Sequence, residues 1–331
     1  MGKDTTRAIK RMESNFPAKK YKKGTPAQLR LAFEFTGGTT RFIDIAKALS
    51  IVNRKMYRQG CYYYVNSVEL HDNADTVCNL HVIPDNWITR AAYRRARGLF
   101  DELNIRAIET VGSGLPGTYH DFRVYMSDLH RTSGSFNPSL YSINDVLNVV
   151  TADDWDYSQF VTADKNDGAS PADEFFAHML GATQQTGSGA TSNVESVGII
   201  ESYAHTRATV QSDNPNMQNL DLTDPLLNIF DYSSEEVQND VINNLNAAND
   251  EPPYDLDAYI GESGGHMVNV ARLVTSPEVG RVNYGPGFCA PLGLICCDVP
   301  TSVGMDPNNK WVIVLNLLQG TYNGVYAERM A

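Results

Sequence analysis

The sequence predicts a mainly β protein, built as an antiparallel β-sandwich. From residue 28 onward, stretches rich in Tyr and β-branched residues recur at short spacing and are separated by Gly, Pro or Asp. Helical patterns are rare and do not alternate singly with the strands, as they would around a parallel α/β sheet. Runs of strands with turn residues between them are typical of sandwiches, including jelly rolls.

The first predicted strands precede residue 84. The run at 29–36 alternates apolar with polar side chains, which is the period-2 pattern of a half-buried strand, and Gly37 ends it. Pro84 ends the last of these runs. The strands are predicted at 29–36, 42–52, 61–70 and 76–83.

One amphipathic helix follows these strands. Asp85 or Asn86 can cap it, and apolar residues recur at helical spacing from Trp87 to Leu103. Its basic face could contact nucleic acid or an acidic neighbouring subunit. The simpler interpretation is a solvated face with local pairs, such as an i, i+4 pair between Arg97 and Asp101. The basic residues on this face are Arg90, Arg94 and Arg97, with Arg95 beside them.

The second half repeats the order of strands, one helix and more strands. Its helix is predicted from Thr223 to Leu245, and a polar connector lies at 164–173. Strands are predicted at 120–126, 147–151, 194–210, 254–260, 266–274, 292–299 and 311–318. We therefore predict an N-terminal arm at 1–24 and two tandem jelly-roll modules, 25–165 and 166–331, with one helix each. A single jelly roll with a large insertion is the alternative.

Charge separates a basic arm from an acidic body. The net charge is -12, yet the first 24 residues hold eight Lys or Arg against two acidic residues. A Lys or Arg placed on a phosphate releases counterions, so such an arm can bind nucleic acid without reading its sequence. The alternative is a solvated tail that keeps the chain soluble. The candidate residues for contact with genome or a neighbouring subunit are Lys10, Arg11, Lys19, Lys20, Lys22 and Lys23.

Composition excludes several classes of protein. No apolar run reaches the ~18 residues of a membrane-spanning helix, and we expect no secretory signal. Five Cys, an odd number, argue against a disulfide framework, and their spacing forms no zinc site. We expect reduced, buried thiols at Cys61, Cys78, Cys289, Cys296 and Cys297. Membrane proteins, secreted disulfide scaffolds and coiled coils are therefore excluded.

The sequence contains no strong catalytic motif. The segment Gly261–Gly265 fits G-x-S-x-G, but a nucleophile elbow needs a helix after the serine, and a strand is predicted there. His205 is the one faint upstream candidate for a base. A Gly-rich turn is the simpler interpretation, so we predict no enzyme activity, cofactor or metal. A serine hydrolase that uses Ser263 remains an alternative.

Three segments carry a family resemblance. They are Tyr119–Met126 (YHDFRVYM), Ala290–Ile295 (APLGLI) and Leu317–Val325 (LLQGTYNGV). They resemble segments of the capsid proteins predicted for small single-stranded DNA viruses of aquatic environments. The resemblance implies a jelly-roll fold, and some lineages of such viruses have two in one chain with a helix in each module. The arm of this chain is shorter than the Arg-rich tails of many small capsids.

The resemblance implies a major capsid protein that assembles into an icosahedral shell around a nucleic-acid genome. Such a chain belongs to the virion and assembles in the host cytoplasm or nucleus. The implied partners are many copies of itself, genomic nucleic acid through the arm, and minor capsid proteins or an internal membrane. The 17 Tyr, 12 Phe and 3 Trp agree with this, because aromatic residues are enriched at interfaces. The alternatives are a β-rich carbohydrate-binding or fibre protein and the hydrolase.

Overall fold

The chain is mainly β, with four helices in the part that the structure, a computed structural model, describes. The described residues are 26–37, 40–111, 120–141, 147–149, 155–163, 172–186, 193–207, 253–255, 258–276, 278, 281–299 and 309–330. The helices are α1 (Ile45–Asn53), α2 (Trp87–Val111), α3 (Asp128–Ser133) and α4 (Ile199–Arg207). The strands are β1 (Arg30–Thr36), β2 (Thr40–Asp44), β3 (Cys61–His71), β4 (Thr76–Val82), β5 (Tyr125–Ser127), β6 (Ser135–Phe136), β7 (Ser139–Tyr141), β8 (Leu147–Val149), β9 (Gln159–Ala163), β10 (Ala172–Leu180), β11 (Gln184–Thr186), β12 (Asn193–Gly198), β13 (Val268–Thr275), β14 (Val282–Gly285), β15 (Phe288–Pro291), β16 (Leu294–Asp298), β17 (Lys310–Leu317), β18 (Gln319–Tyr322) and β19 (Ala327–Arg329).

Most of these strands form three sheets. Sheet A has the order β1-β17-β3-β14, and β15 and β19 also pair with β3. Sheet B has the order β13-β4-β16-β2-β6. Sheet C has the order β11-β12-β10-β5, with β9 also paired to β10, and β7 and β8 form a separate ribbon.

Pairing in sheets A and B is nested along the chain. β1 pairs with β17, β2 with β16, β3 with β14 and β15, and β4 with β13, all antiparallel. The chain before residue 83 therefore pairs, in reverse order, with the chain after residue 267. Each of the two sheets contains strands from both sides of the predicted division at 165/166. Between β4 and β13 lie sheet C and three of the helices.

Sheet B is the middle layer between two hydrophobic cores. Adjacent residues of a strand point to opposite faces. Ile43 and Ile295 belong to the core shared with sheet A. Their neighbours Phe42 and Leu294 belong to a second core, formed with α2, α4, the coil before β5, and sheet C. The described part of 83–267 therefore covers the face of β2 and β16 that points away from sheet A, and it also packs against Tyr62 of β3 in sheet A.

The prediction of a strand over 42–52 is wrong after Asp44. The Asp44 carboxylate caps α1, since its Oδ1 accepts a hydrogen bond from the Lys47 amide at 3.1 Å. The first two turns of α1 then bury Ile45 and Leu49 in the first core. The β-branched residues of this segment favoured a strand, but burial of one helical face outweighs that propensity.

Two further strand predictions fail in part. Over 194–210, β12 ends at Gly198 and α4 begins at Ile199, whose side chain is buried in the second core. Over 254–260, the described residues form bends and turns. The predicted strand at 120–126 is extended coil until Tyr125, and the helix predicted from Thr223 lies outside the described residues.

The helix predicted after residue 85 is confirmed as α2. Asn86 is its cap: its side-chain Oδ1 accepts hydrogen bonds from the amide of Thr89 at 2.7 Å and from the Thr89 hydroxyl at 3.0 Å. The predicted strands at 61–70, 76–83 and 311–318 are confirmed as β3, β4 and β17.

The packing of each strand face predicts how much the free energy of unfolding falls when a residue is truncated to alanine. On β16, Leu294→Ala and Ile295→Ala should each lower the free energy of unfolding by about 2–5 kcal/mol, because each residue fills a core. On β17, Ile313→Ala should cost as much, but Val312→Ala, on the outer face, less than about 1 kcal/mol. Urea unfolding of the four variants measures this. If Leu294→Ala lowered the free energy of unfolding by as little as Val312→Ala, the burial of this face of β16 would be contradicted.

Candidate functional site

The three candidate arginines of α2 do not form one free basic face. Arg90 donates two hydrogen bonds to the carboxylate of Asp85, both at 2.9 Å. The predicted pair of Arg97 and Asp101 is confirmed, with Nε and Oδ2 at 3.7 Å. Arg94 is exposed and takes part in neither pair. Of the three candidates, Arg90 and Arg97 are thus paired with acidic neighbours, and Arg94 is in neither pair.

The six candidate residues of the arm lie outside the described residues. The chain enters the described structure beside the end of α1. There Lys55 Nζ donates to the carbonyl of Pro26 at 2.6 Å, and Asn53 Nδ2 donates to the carbonyl of Gln28 at 3.2 Å. The first described residues, Pro26 and Gln28, are therefore held in place just before β1. The candidates concerned are Lys10, Arg11, Lys19, Lys20, Lys22 and Lys23.

Ser263 lies in a tight turn rather than at a nucleophile elbow. Its side chain is exposed, and Gly261 and Gly265 on either side have positive φ angles of 98° and 59°. The turn leads into β13, where an elbow requires a helix. His205 is an exposed residue of α4. The hydrogen bonds of the described residues include none between Ser263 and a histidine. The turn interpretation therefore describes this segment best.

The cysteines are free thiols in or beside the cores. Four are buried and Cys289 is half-buried, which confirms the expectation of burial for all but the last. Burial raises the pKa of Cys289 to about 11 and that of Cys296 to about 12, which makes these thiols weak nucleophiles at neutral pH. Within the described ranges, no cluster of His, Cys, Asp or Glu is arranged to hold a metal ion. No described helix has the length and hydropathy to cross a membrane.

A buried polar network joins Asp44 of β2, and Gln59 before β3, to described residues of the segment 83–267. Gln59 is its centre. Its Nε2 donates to Asp44 Oδ2 and to the carbonyl of Val124, both at 3.0 Å, and its Oε1 accepts from the Val124 amide at 2.6 Å. Asp44 and Gln59 are fully buried. The Gln59 side chain therefore makes both backbone hydrogen bonds of Val124 that a neighbouring strand would otherwise make.

His130 begins a second branch of this network. Its Nδ1 accepts a hydrogen bond from the Met126 amide at 3.0 Å, so the proton of the neutral ring is on Nε2. Nε2 lies 2.6 Å from Ser135 Oγ, which lies 2.6 Å from the Tyr157 hydroxyl. Tyr157 donates to Asp44 Oδ2 at 3.4 Å. The hydrogen bonds thus run without a break from His130 to Asp44.

Burial dominates the electrostatics of this network. It raises the pKa of Asp44 to about 6 and lowers the pKa of His130 to about 3. It also lowers the pKa of Lys47, whose Nζ donates to the carbonyl of Ser135 at 3.4 Å. His130 therefore stays neutral at physiological pH. Asp44 titrates about one pH unit below physiological pH, since its pKa is about 6. No local motif marks these residues, which is why sequence reasoning missed them.

The outer face of sheet A carries a compact polar cluster. Glu69 accepts hydrogen bonds from Arg30 at 2.9 Å and from Asn316 at 2.8 Å, and it lies 3.0 Å from His71 Nε2. These bonds lower the pKa of Glu69 despite its burial. Tyr284 is paired with Glu69 across β14 and β3, and 69% of it is exposed. The outer face of sheet A thus presents the exposed ring of Tyr284 beside the Glu69 carboxylate, whose charge is paired with Arg30.

A cavity of about 140 Å³ lies between α2, α4 and sheet C. Its lining is mostly apolar and includes Leu99, Phe160 and Tyr203, with Arg95 also present. Arg95 is held there by a 2.9 Å hydrogen bond from its Nη1 to the hydroxyl of Thr206 on α4.

The chain matches no protein-family model, no curated protein and no solved structure. Its surfaces are therefore interpreted from the residues themselves.

Titration of Asp44 and His130 predicts a specific effect of Asp44→Asn on acid stability. The native pKa of Asp44 is raised, so protonating Asp44 stabilises the fold as pH falls from about 6 to 4. The native pKa of His130 is lowered, so the fold loses stability as pH falls below about 6.5. Asp44→Asn removes the stabilisation that protonation of Asp44 provides, so the destabilisation from His130 is no longer offset. Its free energy of unfolding should therefore fall faster between pH 6 and 4, by up to about 1.4 kcal/mol per pH unit relative to wild type.

Urea unfolding at several pH values between 4 and 7 measures these slopes. The absolute stability of Asp44→Asn is also expected to change, because an amide cannot accept every bond that the carboxylate accepts. The comparison therefore uses the slope alone. Parallel pH profiles for the two proteins would show that Asp44 does not titrate in this range.

Proposed function

We propose that sheets A and B form a single jelly roll, and that this chain is the major capsid protein of a virus. Eight strands can be numbered in chain order as β1, β2, β3, β4, β13, β14 with β15, β16 and β17. Among these eight strands, sheet A has the order 1-8-3-6 and sheet B the order 2-7-4-5, and each neighbouring pair is antiparallel. The two-residue strand β6 is added to the edge of sheet B, parallel to β2. One long hairpin rolled into two sheets produces this order, as in a jelly roll. This strand order is the observation that carries the proposal.

The same order favours the single jelly roll with an insertion over two tandem modules. The insertion, residues 83–267, connects the fourth strand to the fifth. Its sheet C is mixed, since β10 runs parallel to both β5 and β12. The sheets of a jelly roll are antiparallel, so sheet C is better explained as a separate layer that covers sheet B.

Exposed apolar side chains support a subunit with several neighbours. Jelly rolls occur in viral capsids and in lectins, so the fold alone does not choose between them. Here large apolar residues are exposed on distinct elements, including Ile105 on α2, Tyr284 on β14 and Tyr326 before β19. A shell subunit contacts copies of itself through different surfaces, and exposed apolar groups are typical of such contacts. The three segments that resemble capsid proteins point the same way.

The remaining parts of the proposal concern the arm and the location. We place the chain in the virion, after assembly in the host cytoplasm or nucleus. The basic arm contacts the genome or neighbouring subunits, and minor capsid proteins or an internal membrane are further partners. The first described residue, Pro26, lies next to β1 at the edge of sheet A.

Self-assembly is the first test of this function. Purified protein should form closed particles tens of nanometres across, visible by negative-stain microscopy and light scattering, because each copy presents several apolar surfaces to others. A persistent monomer or dimer over a range of salt and pH would contradict the proposal. A small fixed oligomer that binds glycans would instead support the carbohydrate-binding alternative.

Neutralising the arm is the second test. Replacing Lys10, Arg11, Lys19, Lys20, Lys22 and Lys23 by Gln should lower the nucleic-acid content of the particles, measured by ultraviolet absorbance ratio. It should also flatten the salt dependence of nucleic-acid binding by about 0.7–0.9 in slope for each lost phosphate contact. A control with Arg54→Gln and Arg272→Gln, two exposed cations of the body, should behave like wild type. Unchanged particle yield and nucleic-acid content would remove this role from the arm.

A further inference from the structure

The outward side of α2 forms a stripe of residues along the whole helix. We define the outer stripe by positions that recur every three or four residues and therefore lie on one face. Trp87 near one end is 41% exposed and Ile105 near the other is 56% exposed. The outer stripe consists of Trp87, Ala91, Arg94, Gly98, Glu102, Ile105 and Glu109.

Charge is distributed unequally along α2. The half before Leu99 contains four arginines and no acidic residue, whereas the half from Leu99 onward contains three acidic residues and one arginine. On the outer stripe, this leaves Arg94 exposed in the first half, and Glu102 and Glu109 exposed in the second. A second copy of the same helix, laid antiparallel, would bring the basic half of each against the acidic half of the other.

Gly98 lies at the centre of the outer stripe. A Cβ added there would meet no heavy atom within 4 Å among the described residues, so packing within the chain does not require glycine. Glycine is also the least favoured helix-interior residue apart from proline. A residue without a side chain does, however, let a second helix approach closely, since the distance between packed helices depends on the side chains at the crossing.

We propose that two copies of this chain associate through the outer stripe, with their α2 helices antiparallel about a two-fold axis at Gly98. This deepens the proposed function, and rests on it, by naming one of the contacts that a shell would repeat. Arg94 of each copy then lies opposite Glu102 of the other, four positions from the axis on either side. Ala91 lies opposite Ile105, so a small residue faces a large one. The interface is isologous, as a two-fold axis requires.

Internal pairs of α2 do not prevent this contact. Glu102 already forms an i, i+4 ion pair with Arg106 of its own helix. A carboxylate can accept several hydrogen bonds, so Glu102 can keep Arg106 and also accept from Arg94 of the second copy. Nucleic acid suits this surface less well, because Glu102 and Glu109 on the same stripe would repel its phosphates.

A charge-reversal series tests the pairing. Arg94→Glu places two carboxylates opposite each other at both ends of the contact, so dimer affinity measured by sedimentation equilibrium should fall by about tenfold or more. The double variant Arg94→Glu with Glu102→Arg restores complementary charges and should recover most of that loss. Arg272→Glu, at an exposed residue of β13, changes the net charge equally and should have no effect. Circular dichroism confirms that each variant is folded.

Cross-linking tests the antiparallel geometry. Cysteine introduced by Gly98→Cys should be joined to its counterpart by a short bifunctional maleimide, because the axis passes near residue 98. Cysteine introduced by Glu109→Cys lies on the same stripe, but its counterpart would be about 33 Å away at 1.5 Å rise per residue. It should therefore not be joined. Wild type, whose five thiols are buried or half-buried, is the background control. Linkage at both positions, or at neither, would overturn the proposal.

The outcomes separate this contact from the proposed function. Both experiments are run at dilutions where wild type forms no particles, and particle assembly is then scored at high concentration. Normal particles from Arg94→Glu, without linkage at residue 98, would reject the outer stripe and leave the capsid proposal standing. Linkage at residue 98 without particles under any condition would support the outer stripe and reject the capsid.

Discussion

Burial of β2 and β16, two strands of sheet B, on both faces is the constraint on which the rest of the structure depends. One face of β2 and β16 packs against sheet A, and the other buries Phe42, Leu294 and Cys296 under the described part of the segment 83–267. That segment is therefore a structural layer, because without it an apolar sheet face would meet water. The second core also covers one end of the outer face of sheet A, at Tyr62, whereas the centre of that face is polar, with Glu69 held by its neighbours.

Polar groups determine how the third layer is attached. Apolar packing is not directional, so it alone would allow the segment 83–267 to shift on sheet B. Gln59 prevents a shift, because its amide matches both backbone groups of Val124. Asp44 adds a second link and also caps α1, so one buried carboxyl group holds a helix and a layer boundary in place. Its raised pKa reflects the cost of that burial.

Local features of the fold could be predicted from the sequence, and distant ones could not. β3, β4 and β17 are long runs of Tyr and β-branched residues with clear ends, and α2 has both a cap and an apolar period. The Arg97–Asp101 pair was predictable because it lies within one helical turn. α1 and α4 were missed because Ile-rich segments resemble strands until their packing is known. Contacts such as Gln59 with Val124, or Arg30 paired with Asn316, leave no local pattern, since residues far apart in the chain make them. For the same reason the order of strands predicted a sandwich, while the nesting of its pairs emerged from the structure.

Nested pairing also determines when sheets A and B can form during synthesis of the chain. The ribosome releases β1 to β4 first, yet most of their partners are the last strands of the chain. The segment 83–267 emerges between them. The strands of sheet C all belong to this segment and pair with one another, so sheet C can form before β1 to β4 have their partners. A nascent chain is consequently unable to complete sheets A and B before β13 to β17 have been translated. Truncated products of a stalled ribosome lack the finished sheets, and this keeps them out of any assembly that those sheets support.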